Sequence, residues 1–340
     1  QKTADWPGRI SILIPARNEE KNILRLLESI DAEREIGRLD LEVIVLDDHS
    51  TDLTRETVAA SPGYGFYVHL VEGKPLPPGW TGKNWACHQL SQRAKGEILL
   101  FIDADVSYSG EAVAKTLSLF QNEAISLVSV FPRQKTGTHS EKLLIPFIDF
   151  LLQSFLPLPF VTFFKSHLLS AANGQWLAFR AEAYRRIGGH ESVKGEVLED
   201  MRLAQKIKRL GEKMITAVGG EAPVCRMYRG LPEVWAGLSK NTFALLGGNF
   251  FQAAAIWTTL FFLDLLPWIL LGMGNLWALP WIASRLLARI LISNKTNWPH
   301  LLLHPIGVAF FLILVINSFR WHRKGRVFWK GRTIAVGKLA

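Results

Sequence analysis

Cysteine is scarce in this chain, which carries only Cys87 and Cys225. Two cysteines cannot build a disulfide framework, and no Cys/His cluster has the spacing of a zinc site, so we expect a reducing, cytosolic compartment. The common phosphate loops are missing too. No G-x-G-x-x-G occurs, and "GWTGKN" (79–84) lacks the first glycine of a P-loop and has Asn84 where that motif needs Ser or Thr. A bound nucleotide must therefore be held in another way.

Acidic residues are absent from residues 320–332, a run that follows an apolar segment directly. Its basic residues are Arg320, Arg323, Lys324, Arg326, Lys330 and Arg332. A basic run is often a solvated tail or a nucleic-acid contact, but its position favours the headgroup side of a membrane. The chain has neither zinc-finger spacing nor an aromatic RNA-binding signature, so we expect no nucleic-acid partner.

The first third of the chain alternates strand-like and helix-like runs, which is typical of an α/β domain with a largely parallel sheet. The predicted strands are 9–16, 41–48, 65–72 and 96–105, and the predicted helices are 18–30, 50–60 and 81–94. Each strand ends in polar residues, and the carboxyl ends of parallel strands share one edge, where ligands bind in open α/β sheets. We therefore expect the site at that edge.

The later apolar segments indicate a membrane. Residues 253–274 and 301–319 have spanning length, and 276–293 between them is a third span or an interfacial helix with Arg285 and Arg289 on one face. A cytosolic domain and a cytosolic basic tail require an even number of spans, which favours two spans plus an interfacial helix. Residues 143–164 contain three prolines and Asp149, which predicts an interfacial or re-entrant segment. A buried core helix pair is the alternative.

Three groups of acids carry the candidate chemistry. Asp103 and Asp105 follow a buried strand, where they indicate a Mg²⁺ or Mn²⁺ site completed by a substrate diphosphate, although D-x-D is also common in turns. Asp47 and Asp48 end another strand. They are either nucleotide contacts or part of a turn in which Ser50 or Thr51 caps the next helix. Asn18 and Glu19, just past the first strand, are likewise either nucleotide contacts or capping residues. Glu199 and Asp200 begin a predicted helix, as dipole complements or as a general base.

Five motifs occur in the order and spacing of family 2 glycosyltransferases, and the chain resembles that family over roughly residues 9–245. They are "SILIPARNEE", "VIVLDDHSTD", "FIDADV", "GQWLAFRAEAYRRIGGHESV" and "LEDMRLAQKIKRLG". The resemblance implies the GT-A fold, a Rossmann-like domain that binds nucleotide-diphospho-sugars, and inversion at the anomeric carbon. "GKPLPPGWTGKNWACHQL", "RMYRGLPEVWAGLSKN" and the apolar C-terminus look most like the membrane-bound branch that glycosylates carotenoids and hopanoids.

The resemblance also implies roles for particular residues. Pro15, Arg17, Glu19 and Asp48 would line the nucleotide pocket, with Lys83 near the base or diphosphate. Asp103 and Asp105 would hold the metal, with Asp105 the direct ligand, and Asp200, next to Glu199, would be the catalytic base. Gly174, Gln175 and Trp176 would shape the sugar and acceptor site.

Two departures from the family pattern qualify these roles. His49 stands where a glycine is usual, and the Q-x-x-R-W motif of processive and ceramide-type members is reduced to "RMYRG" with Trp235 displaced. This argues against a processive synthase, while Arg226 or Arg229 can still meet the diphosphate. Outside the motifs, we expect His88 and His139 to be ordinary helix or loop residues. His190 is an acceptor contact or structural, and Asp264 within a span is functional or breaks a short helix.

The sequence thus predicts a metal-dependent inverting glycosyltransferase of the cytoplasmic membrane that moves a sugar, expected to be glucose, from a UDP-sugar to a hydroxyl of a terpenoid lipid. The alternatives are a polyprenyl-phosphate or ceramide-type acceptor, and a catalytically silent membrane scaffold. The expected domains are a cytosolic GT-A domain at 1–248 with an interfacial insertion at 141–169, membrane helices at 249–319 and a basic cytosolic tail at 320–340.

Overall fold

A computed structural model describes residues 6, 8–37, 39–61, 67–156, 158–220, 222–292, 298–329 and 332–335. The chain forms two compact units. The first comprises Gln1–Lys135 and Leu158–Met227, and the second comprises Thr136–Pro157 and Tyr228–Ala340. The predicted boundary at residue 248 stays a prediction. Lys330 and residues 336–340 of the predicted tail, and Pro157, lie outside the described residues.

Secondary structure covers both units. The strands are β1 Ile10–Ala16, β2 Leu41–Asp47, β3 Val68–Glu72, β4 Ile98–Ile102, β5 Val106–Ser107, β6 Ile125–Phe131, β7 Arg133–Gln134, β8 Trp176–Arg180, β9 Lys213–Val218, β10 Val224–Cys225, β11 Arg326–Trp329 and β12 Arg332–Ala335. The α-helices are α1 Ile23–Gly37, α2 Thr54–Ala59, α3 Gly82–Ser91, α4 Ala112–Leu119, α5 His139–Phe155, α6 Leu158–Phe163, α7 Ala181–Arg186, α8 Glu199–Arg209, α9 Leu231–Leu245, α10 Phe250–Leu260, α11 Leu266–Gly272, α12 Ala278–Ile292, α13 Trp298–Leu302 and α14 His304–Arg323. A 3₁₀ helix at Gly189–Val193 and a π-helical turn at Phe261–Leu265 complete the set.

The first unit is built on a seven-stranded sheet in the order β3-β2-β1-β4-β8-β6-β9. The four predicted strands are present and mutually parallel, as expected. The sheet departs from the parallel pattern at β8, which is antiparallel to both β4 and β6. An antiparallel strand begins at the edge where its neighbours end, so the residues that lead into β8 lie beside the carboxyl end of β4.

The turn after β2 does not show the helix capping that was one of the two readings of its sequence. Ser50 and Thr51 do not cap α2: the Asp52 carboxylate accepts the Thr54 amide at 3.0 Å, while the Ser50 hydroxyl accepts the Asn18 amide at 3.0 Å. His49 adopts a left-handed conformation with φ of 54°. A non-glycine residue pays about 1 kcal/mol for that conformation, which accounts for the glycine that is usual there.

Residues 143–164 form parts of two helices, α5 and α6, which belong to different units, and their predicted interfacial location stays a prediction. In α5, Phe147 and Phe150 are fully buried within the second unit. In and after α6, within the first unit, Phe163 and Phe164 are exposed. The segment is therefore partly the buried helix of the alternative reading and partly an exposed apolar surface.

Two helical stretches in the second unit, Phe250–Gly272 and His304–Arg323, are long and apolar enough to cross a membrane. By length and composition they match the two spans that the sequence predicts, and they are consistent with membrane association.

Lys208 of α8 holds the exposed apolar segment of the first unit in place. Its ammonium donates to the carbonyls of Val161 at 2.5 Å and Phe164 at 2.9 Å, and also to that of Leu169. Burial lowers the pKa of this lysine, and three carbonyl acceptors offset the cost of placing its charge inside the protein.

We expect Lys208→Met to loosen residues 158–169 and to lower the free energy of unfolding by about 1–3 kcal/mol, since three buried carbonyls lose their donor. Hydrogen exchange of that segment, together with denaturant unfolding, measures both effects. Lys206→Met makes the same change at a half-exposed position of α8 and serves as the control. Equal exchange rates in the two variants would contradict the anchoring role of Lys208.

Candidate active site

The carboxyl ends of β1, β2 and β4 lie side by side in the first unit, as predicted. Ala16 at the end of β1 is paired with Asp47 at the end of β2, and Asp103 follows β4 directly. The predicted nucleotide residues Pro15 and Arg17 flank this edge. The fold thus gathers residues from three separate motifs.

Lys83 connects two of the acidic motifs. Its ammonium lies 2.9 Å from the Asp103 carboxylate and 3.3 Å from Oε1 of Glu199. Burial by itself lowers the pKa of Lys83, but Asp103 and Glu199 raise it well above its ordinary value, so the side chain is charged. Thr81 caps α3 and holds Lys83 at its start, accepting the Asn84 amide at 3.3 Å.

Gly174 lies against this ion pair, just before β8. Its amide donates to Oδ2 of Asp200 at 2.8 Å. A Cβ at Gly174 would lie 3.0 Å from the Lys83 ammonium, 3.2 Å from Glu199 Oε1 and 3.5 Å from Asp200 Oδ2. A larger residue would therefore displace the charged groups, and the glycine leaves room beside all three.

Asp200 is the acid whose chemistry is most altered. Burial, then repulsion by Glu199, raise the pKa of Asp200 to about 7, while Lys83 and the amides of Met201 and Gly174 act in the opposite direction. A carboxylate with a pKa near neutrality is a stronger base than an ordinary aspartate. Glu199 and Asp200 begin α8, as predicted, so the start of that helix lies in the site.

Asp103 and Asp105 are fixed by the backbone around them. The Asp103 amide donates to the Gln175 carbonyl at 3.2 Å, and the Asp103 carbonyl accepts from the Val106 amide at 3.0 Å. The short strand β5 that follows Asp105 pairs with β10, with Val106 opposite Cys225. The motif therefore sits in a rigid turn between two sheets.

Cys225 is a neighbour of this motif that sequence reasoning missed. Burial raises the pKa of its thiol well above the ordinary value, and Asp105, with which the thiol forms a hydrogen bond, raises it further. The Gln175 side-chain amide donates to its sulfur at 2.9 Å. Only pairing of β10 with β5 brings Cys225 here, and nothing in the sequence signals that pairing.

The donor set at this edge fits a hard divalent cation that is shared with a substrate. The part of the chain that the structure describes holds no group of three or more His, Cys, Asp or Glu side chains suited to a metal. Asp103 and Asp105 supply two carboxylates, and Mg²⁺ or Mn²⁺ commonly takes one or two carboxylates and completes its shell with phosphate oxygens and water. The Lys83 ammonium, between Asp103 and Glu199, marks the same preference for positive charge.

Two further predicted contacts lie in the turns after β1 and β2. Arg17 donates to the Asp48 carbonyl at 2.6 Å and the His49 carbonyl at 3.1 Å, so it ties these turns together. The Glu19 amide donates to the Thr54 hydroxyl at 2.7 Å, and its carboxylate accepts the Asn22 side-chain amide at 2.7 Å. Asp48 and Glu19 are both largely buried, at 6% and 7% exposed.

Trp176 does not lie in the site. Its side chain is fully buried in the core of the first unit, and its indole N–H donates to the Thr116 hydroxyl of α4 at 3.0 Å. Successive side chains of a strand point to opposite faces, so Gln175 and Trp176 cannot both face the site. The predicted role of Trp176 is corrected to packing.

The arginines of "RMYRG" fall on the two sides of a unit boundary. Arg226 directly follows Cys225 in the first unit, next to the strand that pairs with β5. Arg229 belongs to the second unit, where its amide donates to Glu233 at 2.7 Å. A role for either side chain at a diphosphate stays a prediction.

His190 takes the structural role of the two that the sequence allowed. It is 2% exposed, and its Nδ1 shares a hydrogen bond with the Tyr184 hydroxyl at 2.6 Å. Burial, then the positive charge of Lys83, lower its pKa to about 3, so the ring is neutral. His88 pairs with Gln92 on α3 at 2.9 Å, as expected of an ordinary helix residue.

Comparison with known proteins yields consistent matches. A model of glycosyl transferase family 2 matches residues 11–188, more than half of the chain. The 4,4'-diaponeurosporenoate glycosyltransferase of Staphylococcus aureus (strain USA300) is 28% identical over 355 residues, covering 97% of this chain and 89% of that protein.

The chain is also similar to solved structures. The mannosyltransferase PcManGT from Pyrobaculum calidifontis, in complex with GDP-Man and Mn2+, has a TM-score of 0.54 and 21% identity, covering 93% of this chain and 88% of that one. The glucosyl-3-phosphoglycerate synthase from Mycobacterium tuberculosis, with Mn2+ and UDP-glucose, has a TM-score of 0.48 and 25% identity, covering 71% and 79%. The likeness to the mannosyltransferase confirms the GT-A fold expected from the motifs. The chain belongs to glycosyl transferase family 2 and is a glycosyltransferase.

Proposed function

We propose that this protein transfers a sugar, with inversion, from a UDP-sugar to a carotenoid-type lipid at the cytosolic face of a membrane. The observation that carries the proposal is the arrangement of Asp200, Glu199, Lys83 and Gly174 beside Asp103. It combines a partly buried base of raised pKa with a glycine that carries no side chain to displace the charged groups, and with a positive charge within reach of a leaving group. UDP-glucose is the donor that we expect.

Asp200 would act as the general base. The acceptor hydroxyl would lie against its carboxylate and give up its proton as the oxygen bonds to the anomeric carbon of the sugar. Attack on the face opposite the departing UDP inverts that carbon. Burial, with the opposing effects of Glu199 and Lys83, sets the pKa of Asp200 at about 7, where proton transfer by a carboxylate is effective.

The leaving diphosphate needs positive charge. A Mg²⁺ or Mn²⁺ ion on Asp103 and Asp105 would neutralise it when bound. Lys83 supplies a fixed positive charge beside Asp103, and Arg226 follows the strand that pairs with the turn of Asp105. The buried carboxylates of Glu19 and Asp48 are candidate acceptors for N–H and O–H groups of the base and ribose.

Two features support a lipid acceptor. The relative from Staphylococcus aureus is named for a carotenoid acid, diaponeurosporenoate. The first unit also exposes apolar side chains in and after α6, which Lys208 anchors: Phe160, Phe163, Phe164 and Leu168 are 50–81% exposed. Exposed apolar clusters of this kind are typical of sites that meet lipid or an apolar ligand.

A carboxylate oxygen is the second candidate for the attacking group, because the name of that relative denotes a carboxylate. A carboxylate is already ionised at neutral pH and has no proton to lose. The need for a base therefore separates the two acceptors: Asp200 is essential for attack by a hydroxyl and largely dispensable for attack by a carboxylate.

For a hydroxyl acceptor, we expect Asp200→Asn to lower kcat by about 10²–10⁴-fold while UDP binding and thermal stability stay unchanged, because the amide oxygen can still accept the Gly174 N–H. Transfer from labelled UDP-glucose to a carotenoid alcohol and to a carotenoid acid, followed by mass spectrometry of the lipids, measures both acceptors. Glu196→Gln, at an exposed position nearby, is the matched control.

The two acceptors give opposite results in that experiment. If Asp200→Asn no longer transfers sugar to the alcohol, the hydroxyl mechanism is supported. If Asp200→Asn still transfers sugar to the acid alone, the carboxylate is identified as the acceptor. Full turnover of the alcohol by Asp200→Asn would rule out Asp200 as the base.

The pH dependence follows from the raised pKa of Asp200. The base must be ionised, so kcat/KM for a hydroxyl acceptor should rise with pH up to about 7 and then level off. Glu199→Gln removes the repulsion that raises this pKa, so the midpoint should move to lower pH. Steady-state kinetics between about pH 5 and about pH 9, roughly two units on either side of this pKa, tests both expectations. A midpoint that moves upward in Glu199→Gln would contradict the assignment.

A further inference from the structure

A buried polar cluster in the second unit takes no part in the proposed transfer. Asp264 accepts Nε and Nη2 of Arg285 at 2.8 and 2.9 Å, one on each carboxylate oxygen. His304 lies between Asp264 and Arg289, with Nε2 3.1 Å from Asp264 Oδ1 and Nδ1 3.0 Å from Arg289 Nη1. A guanidinium can only donate, so Nδ1 accepts, Nε2 carries the proton and the imidazole is neutral.

The charges of this cluster do not balance. The bidentate Asp264–Arg285 pair is neutral in total, which leaves the positive charge of Arg289 without a carboxylate. Among the described residues, no acid forms an ion pair with Arg289, and its Nε has no hydrogen-bond partner although the residue is only 1% exposed. Asp264 is the only acid from residue 249 to the end of the chain, and the other acids of the second unit, Glu141, Asp149 and Glu233, form no ion pair with Arg289 in the part of the chain that the structure describes.

His300 of α13 adds a second unpartnered group nearby. It is 7% exposed, and neither ring nitrogen has a hydrogen-bond partner among the residues that the structure describes. Burial, followed by the positive charges of His139, Lys142 and Arg289, lowers its pKa. His300 therefore faces basic groups from α5 and α12, and its neutral ring has one N–H to donate.

A buried charge without a partner is strongly unfavourable, and the Phe147 ring, 5.6 Å from the Arg289 guanidinium, offsets only part of the cost. An anion from outside the chain would supply such a partner. A phosphate has several acceptor oxygens, so one phosphate group can accept from a guanidinium and from an imidazole N–H at the same time.

We propose that Arg289 and His300 form a binding site for the phosphate group of an anionic membrane lipid. The surroundings indicate a lipid as the source of the phosphate. Leu287, Leu291 and Leu302, on the helices that carry these two residues, are 55–72% exposed, and basic pockets between membrane helices commonly hold lipid headgroups. Free inorganic phosphate presents the same acceptor oxygens, so the experiment must distinguish it from a lipid phosphate.

The test compares thermal unfolding of the full chain in nanodiscs of phosphatidylcholine alone and of phosphatidylcholine with phosphatidylglycerol. We expect phosphatidylglycerol to raise the Tm of the wild type. Arg289→Met should lose that rise, because it replaces the guanidinium with an apolar group of similar length. Arg323→Gln removes an exposed positive charge from the last turn of α14 and should keep the rise.

Native mass spectrometry of the same samples counts the lipids retained. Phosphatidylglycerol should be retained about tenfold less by Arg289→Met than by Arg323→Gln, which corresponds to one charge-assisted hydrogen bond. Equal losses in both variants would mean diffuse attraction to the membrane surface and would overturn the proposal.

A parallel arm adds inorganic phosphate to detergent-solubilised protein and follows binding by ³¹P NMR. Phosphate binding that Arg289→Met abolishes, without any preference for phosphatidylglycerol, would overturn the lipid as the source and keep the site. No binding of either ligand would overturn the site itself.

His300→Gln keeps the test decisive if Arg289→Met does not fold. Neither ring nitrogen of His300 has a hydrogen-bond partner among the described residues, so this variant should match the Tm of the wild type in phosphatidylcholine alone. It should show a smaller rise with phosphatidylglycerol. An unchanged rise in this variant would contradict a contact between His300 and the phosphate.

Discussion

The ion pairs of Lys83 with Asp103 and Glu199 organise the candidate active site. They join the start of α3, the end of β4 and the start of α8, three elements that are far apart in the sequence. Without the ammonium, the acids at this edge would repel one another and the pKa of Asp200 would rise further. The position of Lys83 also explains Gly174, since any side chain there would press on the same charges.

Much of this arrangement could be predicted from sequence. The apolar strands β1, β2 and β4 and the acids that follow them fix the sheet edge, because parallel strands bring their carboxyl ends together. The partners of those acids could not be predicted, because they depend on contacts between distant residues. Cys225 reaches Asp105 only through the pairing of β10 with β5.

Two of the errors have simple physical causes. The motif "GQW" does not indicate which side of the sheet each of its side chains faces. The sequence therefore could not show that Gln175 contacts Cys225 while Trp176 packs in the core. The apolar run at 143–164 carried no signal that its halves would join different units. Composition predicted the apolar character of both halves but could not predict which surface would stay exposed.

Three cations in this protein, Lys208, Lys83 and Arg289, illustrate how surroundings determine a role. Lys208 is satisfied by backbone carbonyls and holds a segment in place, and Lys83 is satisfied by carboxylates and sets the charge of the active site. Arg289 contacts a neutral histidine and an aromatic ring, and no acid among the described residues forms an ion pair with it. The first two charges are accounted for within their own unit, whereas the third indicates a ligand.

The proposed transfer requires that Asp103 and Asp105 form a site where a divalent cation and a nucleotide diphosphate bind together. Isothermal calorimetry of UDP with and without Mn²⁺ measures this in the wild type, Asp105→Asn and Asp200→Asn. We predict that UDP binds tightly only with Mn²⁺, that Asp105→Asn loses this binding and that Asp200→Asn keeps it. UDP binding of equal strength without the metal, or unchanged in Asp105→Asn, would contradict the account.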